Sequence, residues 1–306
     1  MIVDSKKAKK RKRGIKKVVL NAHYSNYLTR FTNWLDYLGY ATTTVTGYQR
    51  KLSYFFNYLQ NNSVLTIYKI TVLNIDNYNQ ALHKRNISRQ YIQGHLNCIR
   101  IFGEYLEKTE NYKLVYKAFN VEKELKTERT ILSVKEIQLL FSSIEDTPTG
   151  LRDKALLHLY YSCGLRASEA ARVRCKDIDY HKQLIYVAPG KNYKSRYVPI
   201  GTGVIKDLQS YEQYARPVIN QNGNFFLVAP FTNHISTQTL ARYLKQRLKK
   251  SLVTKKISAH SLRHSIATHL LLQGMDLELI QQFLGHRSLD ATEIYVRMKN
   301  EYIYES

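Results

Sequence analysis

Apolar side chains recur every three or four positions between residues 22 and 118, which is the spacing of one buried face of an α-helix. Breaks in this pattern divide the segment into four expected helices and no strand. The first should end at Gly39, the third near His83, and the fourth should begin after Ser88. Threonines at 42–44 are the expected N-caps of the second helix. The expected inner faces comprise Tyr27, Phe31, Trp34, Leu35, Leu38, Tyr48, Leu52, Phe55, Phe56, Leu59, Tyr91, Ile92, His95, Leu96, Ile99 and Phe102.

The pattern becomes mixed after Ser133-Val-Lys-Glu136, which has the form of a capping box at a helix start. Residues 151–163 predict a buried helix. Two short β-rich runs, 183–188 and 195–200, flank a Pro-Gly-Lys-Asn-Tyr-Lys turn and predict a hairpin with a basic tip. A further strand is expected at 225–228. Further helices are expected at about 236–250, 260–273, 276–284 and 288–299.

These patterns predict a mainly α protein with a small antiparallel β-sheet confined to its second half. We expect a basic, flexible arm at 1–20, because nine Lys and Arg side chains and one acidic side chain fall within residues 1–17. A four-helix domain should occupy 21–120 and a polar linker 121–132. An α+β domain with a C-terminal tail should occupy 133–306.

The charge balance of the chain bears on its binding partners rather than on its fold. The 306 residues carry 47 Lys and Arg against 24 Asp and Glu, a formal net charge of +23. Such an excess favours a polyanion as partner, with nucleic acid first and an anionic membrane surface as the alternative. The charge alone indicates no chemistry.

Several classes of protein are disfavoured by the sequence. No run approaches the ~18 consecutive apolar residues of a membrane span. The basic N-terminal stretch is not followed by the apolar segment of a secretory signal. Three widely spaced cysteines, Cys98, Cys163 and Cys175, suggest neither a disulfide framework nor a zinc knuckle. A reducing, cytoplasmic setting is therefore expected.

Candidate chemistry begins with His260-Ser-Leu-Arg263-His264. Two histidines four residues apart can ligate zinc, but Arg263 lies between them and would repel a cation. His260 and Arg263 share one helical face, and a cationic pair of this kind suits an anion such as a phosphate. The alternative is an ordinary pair of surface side chains.

Two other motifs join charged or hydroxylated side chains to glycine turns. In Gly164-Leu-Arg-Ala-Ser-Glu169, Glu169 is placed to hold the Arg166 guanidinium, although many such pairs contribute little. In the second motif Gly285 should end one helix, and Tyr295 lies nine residues beyond His286. The chain has 25 tyrosines, so Tyr295 taken alone is not identified as a functional residue.

Taken together and in this order, these residues resemble the catalytic set of the tyrosine recombinase, or phage integrase, family. The segments GLRASEAARV and HSLRHSIATHLLLQGMDLELIQQFLGHRSLDATEIYVRM are similar to the two arginine boxes of that family. The likeness covers about 130–300 closely, and residues 22–118 resemble the helical core-binding domain less specifically. The whole chain looks most like the simple, two-domain Xer-type members.

The resemblance implies a reaction and assigns roles to residues. Arg166 and Arg263 would clamp the scissile phosphate, and Glu169 would support Arg166. Tyr295 would attack phosphorus to form a 3′-phosphotyrosyl link, His260 would assist proton transfer, and His286 would hydrogen-bond the phosphate. No metal or other cofactor is expected, because two arginines can take the electrostatic role of a metal ion.

The general acid is expected on the hairpin. The run Gly190-Lys-Asn-Tyr-Lys-Ser-Arg196 is similar to the family's Gly-Lys-x-x-Lys-x-Arg pattern, which assigns Lys191 to protonate the leaving oxygen. Lys194 is the alternative. Tyr193 departs from the small residue often found in this turn.

The resemblance also implies partners. These are double-stranded DNA target sites and a homotetramer on paired sites, with a second recombinase as the alternative protein partner and no membrane. The expected location is cytoplasmic and nucleoid-associated. The tail 298–306 could pack on a neighbouring protomer or fray. Integration, excision, inversion and dimer resolution share this chemistry. Two alternatives stay open: a catalytically silent DNA-binding protein of the same fold, and a topoisomerase IB-like DNA relaxer.

Overall fold

The computed structural model describes residues 19–85, 87–114, 130–190, 194–232 and 234–285. By its internal contacts the chain divides into two compact units, Met1–Lys123 and Glu124–Ser306. Across the described ranges, no helix is both long enough and apolar enough to cross a bilayer.

The described part of the first unit is entirely helical, as its apolar spacing predicts. Its core is rich in aromatic rings: Phe102 meets Phe31 and Phe56 edge to face, with ring centroids 5.4 and 5.3 Å apart. Tyr24 stacks on Phe56 at 4.5 Å. The four helices are α1, Ala22–Tyr37; α2, Thr42–Asn61; α3, Val72–His83; and α4, Arg89–Glu110.

The helix starts test the expected caps. The Ser88 side chain accepts a hydrogen bond from the Tyr91 backbone N–H, which confirms the cap of α4. The expectation of a threonine cap for α2 is wrong, because Ala41 occupies the N-cap position without a side-chain bond. Thr42 lies inside the helix, and its carbonyl accepts a bond from the Thr46 hydroxyl at 2.8 Å.

The second unit combines helices with a three-stranded sheet. Its helices are α5, Val134–Ser142; α6, Pro148–Leu157; α7, Ala167–Ala170; α8, Thr202–Ser210; α9, Arg216–Ile219; α10, Thr237–Lys250; α11, Ala259–Leu272; and α12, Leu277–Leu284. Two π-helical turns, His158–Ser162 and Tyr211–Ala215, extend α6 and α8. The predicted capping box of Ser133 and Glu136 is present at α5. Neither α8 nor α9 was predicted from the sequence, and the helix expected at 288–299 lies outside the described residues.

The sheet is antiparallel in the order β1–β2–β3, with β1 Ile178–Asp179, β2 Leu184–Val187 and β3 Arg196–Pro199. Ile185 pairs with Ile178 on one side and with Val198 on the other, and all three side chains are buried. The predicted hairpin is thereby confirmed, whereas the short β1 was not foreseen. Alternation gives β2 and β3 one face on the core and one towards solvent.

The strand expected at 225–228 is wrong. Phe225 forms only an isolated bridge with Arg174. The pairing cannot extend along the backbone, because the segment that follows Arg174 forms a 3₁₀ helix at Cys175–Asp177. The Val228 N–H donates to the Tyr211 hydroxyl at 3.1 Å and not to a neighbouring strand. The segment is apolar because Phe226, Leu227 and Val228 are buried, not because it is a strand.

The core of the second unit includes one buried ionic group. Asp153 on α6 accepts hydrogen bonds from Arg152 at 2.8 Å and from Arg247 of α10 at 2.8 Å. The Arg152 guanidinium lies 3.6 Å over the Tyr243 ring. Leu132, the last residue of the expected linker, is fully buried, and its N–H donates to the Ser265 hydroxyl at 2.9 Å.

Candidate active site

The candidate site is built where the π-helical turn His158–Ser162 ends. Gly164 follows with φ of +59°, a left-handed conformation that suits glycine and lets the chain reverse into α7. A Cβ here would lie 2.8 Å from the Leu284 side chain. This close approach places Arg166, at the N-cap of α7, beside the end of α12.

Glu169 binds Arg166 through both backbone and side chain. Its carboxylate accepts the Arg166 backbone N–H at 2.9 Å and Arg166 Nη1 at 2.9 Å. The Glu169 residue is only 6% exposed, so this is not the solvated surface pair considered as an alternative. The predicted contact is present in a buried setting, where a charge needs a partner.

A second arginine, Arg196 of β3, binds the same carboxylate. Its Nη2 and Nη1 atoms donate to the two oxygens of Glu169 at 3.0 and 3.2 Å, and its Nε donates to the Phe283 carbonyl at 2.9 Å. Arg196 had no predicted role. The only available signal was its position at the end of the Gly190–Arg196 run.

The arginines determine the ionisation of Glu169. Burial alone would raise its pKa, but the hydrogen bond and charge of Arg196, followed by those of Arg166, lower the pKa to about 2. The carboxylate therefore stays ionised under all physiological conditions. It is a fixed negative charge among several positive ones.

Arg263 enters the site from α11 and is the largest side chain in the fully buried core, with 2% exposure. Its guanidinium donates to the carbonyls of Gly164 and, at 2.6 Å, of Leu284. Arg263 Nη1 lies 3.8 Å from Glu169 Oε2. The structure thus brings Arg166, Glu169 and Arg263 together, although they are up to 97 positions apart in the chain.

The C-terminal end of α12 is the common acceptor of these arginines. Arg166 donates to the carbonyls of Leu284 and Gly285 at 3.5 and 3.2 Å, alongside the bonds of Arg263 and Arg196. Gly285 has φ of +65° and ends α12 as expected, and a Cβ on it would lie 2.8 Å from Arg196 Nη1. Cations suit this helix end, because its last carbonyls lack intrahelical partners.

Comparison with known proteins places this cluster in a family. The model of the phage integrase family matches residues 130–301, more than half of the chain. The chain belongs to the phage integrase family. It is a tyrosine recombinase, a DNA strand transferase, as the arginine boxes predicted.

Relatives of this recombinase are similar over nearly their whole length. The tyrosine recombinase XerC of Oceanobacillus iheyensis is 30% identical over 289 residues, covering 92% of this chain and 94% of the relative. The tyrosine recombinase XerD of Listeria innocua is 30% identical over 278 residues, covering 86% and 92%. The XerH recombinase bound to its difH substrate has a TM-score of 0.70 at 19% identity, covering 91% of this chain and 83% of that one. This last likeness confirms the predicted fold.

The other expected site residues of the recombinase are distributed unevenly. His260 lies exposed on the first turn of α11, with its ring 4.3 Å from the ring of buried His264. Lys194 is exposed beside the start of β3. Lys191, His286 and Tyr295 lie outside the described residues.

Two further histidines of the recombinase bond to side chains within the fold. His158 is hydrogen-bonded to Ser162 at 3.0 Å and to Asp207 at 2.8 Å, and burial lowers its pKa despite the carboxylate. His269 bonds to the Tyr161 hydroxyl at 2.8 Å. Within the described ranges no three His, Cys, Asp or Glu side chains are grouped as metal ligands.

Proposed function

We propose that this recombinase cleaves and rejoins duplex DNA at specific sites through a 3′-phosphotyrosyl bond to Tyr295. The observation that carries this proposal is the buried cluster of Arg166, Glu169 and Arg263 at the end of α12. In the sequence, His286 follows this helix end directly, and Tyr295 lies nine residues after His286. Arginines fixed in this way can bind a phosphodiester without reorganising during the reaction.

The charges of the cluster suit phosphoryl transfer. With Arg196 included, three guanidinium groups surround one carboxylate, which leaves a net charge of +2. Attack on a phosphodiester adds negative charge to the nonbridging oxygens, and planar guanidinium groups can bind these oxygens with two donors each. Arg166 and Arg263 are the residues proposed to make these contacts, with Glu169 holding Arg166.

The remaining steps belong to four other side chains. Tyr295 attacks phosphorus, and the 5′-oxygen leaves with a proton donated by Lys191, or by Lys194 in its place. His260 assists removal of the tyrosine proton, and His286 donates a hydrogen bond to the phosphate. The reverse reaction, with a 5′-hydroxyl as nucleophile, rejoins the strand and releases Tyr295, so no external energy source or cofactor is required.

DNA binding is proposed for both units. The net charge of +23 supports a long contact with phosphates, with a steep dependence on salt. Related recombinases support this, since XerH has been seen bound to difH. The helical domain at 21–120 and the catalytic domain at 133–306, joined by the linker at 121–132, would each contact the duplex, and the arm at 1–20 would lie along the backbone.

Assembly and location follow from the same chemistry. Exchange between two duplexes requires four cleavages, so we propose a tetramer on paired sites. Both XerC and XerD proteins are among the relatives, which supports a second recombinase as a possible partner. The proposed location is the cytoplasm, at the nucleoid.

A nicked duplex tests the proposed reaction. The target site would first be selected by binding from DNA that flanks the gene, where inverted repeats or an attachment site are expected. A nick just beyond the scissile phosphate lets the short 5′-hydroxyl fragment diffuse away and traps the protein on DNA. We expect a covalent adduct with the wild type and none with Tyr295→Phe, measured by denaturing gel.

The matched control is Tyr197→Phe, which changes an exposed tyrosine on β3 and should leave the adduct unchanged. Failure of the wild type to form an adduct on its bound site would favour the silent DNA-binding alternative. Relaxation of supercoiled DNA without exchange between two sites would favour the topoisomerase-like alternative.

A further inference from the structure

Arg196 connects three separate segments of the catalytic unit. It begins β3, where it pairs with Val187 at the loop end of the hairpin, and its guanidinium binds both oxygens of Glu169 on α7. Its Nε donates to the Phe283 carbonyl near the end of α12. The side chain is 9% exposed, so these bonds are shielded from solvent. Arg196 therefore shares Glu169 with Arg166 and bonds to the same end of α12 as Arg166 and Arg263.

The contacts of Arg196 differ from those of an arginine that only supports the fold. Arg216, in the same unit, donates to the carbonyls of Gly223 and Phe225 and fastens a loop to its own helix. Arg196 has in addition a bidentate ion pair with the carboxylate that holds Arg166. If Arg196 were removed, Arg166 and Arg263 would be the remaining arginines of this cluster near the Glu169 carboxylate.

The packing around Arg196 also disfavours other side chains at this position. Arg196 Nη1 lies where a Cβ on Gly285 would approach to 2.8 Å, so the guanidinium fits against the bare backbone at the end of α12. A lysine could keep one charge near Glu169, but it cannot reproduce the planar fork that reaches Glu169 and Phe283 at once.

We propose that Arg196 is a positioning residue for strand cleavage: it fixes Glu169 against the end of α12 and so holds Arg166 and Arg263 in the geometry that binds the scissile phosphate. The proposal rests on the proposed function. Arg196 does not itself touch the DNA phosphate, and it acts through Glu169 rather than through the leaving oxygen.

Cleavage of the nicked duplex by Arg196→Gln and Arg196→Lys tests this proposal. At saturating protein we expect Arg196→Gln to cleave about 10- to 100-fold more slowly than the wild type, by analogy with the loss of a side chain that orients a metal ligand. Arg196→Lys should recover part of this loss. The affinity for the site should change by less than about threefold, and Arg216→Gln, the matched control, should cleave like the wild type.

Two further measurements separate positioning from a merely structural role. In a Glu169→Gln background, Arg196→Gln should slow cleavage little further, because its partner has already been neutralised. A 5′-phosphorothiolate substrate, whose leaving group needs no proton, should restore Lys191→Ala but not either Arg196 variant. Arg196→Lys keeps the charge and provides these measurements if the glutamine variant fails to fold.

Three results would overturn the proposal: cleavage by both Arg196 variants within twofold of the wild type, fully multiplicative effects with Glu169→Gln, or rescue of an Arg196 variant by the phosphorothiolate. A wild type that forms no adduct would instead contradict the proposed function.

Discussion

Two buried carboxylates in the catalytic unit are each held by arginines, yet their surroundings differ. Asp153 is enclosed by Arg152 and Arg247, whose side chains are at most 7% exposed and whose other contacts are the Tyr243 ring and the Ser143 carbonyl. Glu169 is held by Arg166 and Arg196, with Arg263 nearby, and the Arg166 side chain remains 20% exposed. One group joins α6 to α10, whereas the other leaves part of the Arg166 side chain accessible at the place where we propose that the phosphate binds.

The difference lies in the net charge and in the acceptors. Two arginines on Asp153 leave one positive charge inside the protein, and its contacts serve packing. Three arginines around Glu169 leave two positive charges, and their remaining bonds are to the backbone carbonyls of Gly164 and of the end of α12. A surplus of buried positive charge is costly for stability and suits an anion that arrives from outside.

The largest expected effect separates the two groups by activity. Arg166→Ala should reduce cleavage about 100- to 1000-fold, the usual cost of losing one donor to a developing charge, with site affinity within a few-fold. Arg247→Ala should lower the melting temperature but leave cleavage at 20 °C close to the wild type per folded molecule. Single-turnover cleavage and thermal unfolding, measured on both variants, check this. Loss of binding in step with cleavage in Arg166→Ala would contradict its assignment to the scissile phosphate.

The next largest expected effect distinguishes the Asp153 group from the Glu169 group by the free energy of unfolding. Asp153→Asn removes the only carboxylate bonded to Arg152 and Arg247 among the described residues, and breaking a buried pair in this way typically costs about 3–5 kcal/mol. Glu169→Gln should cost less, because its arginines keep the backbone carbonyls as acceptors. Urea unfolding of both variants measures the difference. Equal losses would show that the carbonyl contacts contribute little to holding the Glu169 arginines.

The smallest effect concerns pH. Because the pKa of Glu169 is lowered to about 2 from an ordinary value near 4.5, its stabilising contribution is complete above pH 4.5 and is lost as the pH falls towards 2. The full contribution is on the order of 3 kcal/mol. The free energy of unfolding of Glu169→Gln should therefore fall less steeply with acid than that of the wild type. Parallel curves from pH 5 to 2.5 would contradict the lowered pKa.

Two short-range contacts were predicted correctly from the sequence, although the threonine cap expected for α2 was not. The pairing of Arg166 with Glu169 spans three residues and the cap of α4 spans the same distance, so both could be predicted from spacing. The strand expected at 225–228 was wrong, because an apolar run does not show whether a backbone partner is available.

The contribution of Arg196 could not be predicted, because it depends on contacts 27 and 87 residues away. Likewise, spacing placed His260 and Arg263 on one face but did not show that Arg263 is buried and bonded to carbonyls, while His260 is exposed. The family resemblance supplied the role of the arginine boxes; only the fold shows what holds them.

The carbonyls of Phe283, Leu284 and Gly285 have a consequence for exchanging parts between recombinases. An acceptor on the backbone is present whatever side chain the residue carries, so residue 283 can diverge within its packing limits without loss of its bond to arginine. A chimera joined after Gly285 would retain every described arginine contact with α12 while replacing the segment that carries the nucleophile. Gly285 is thus a suitable junction for building hybrid recombinases.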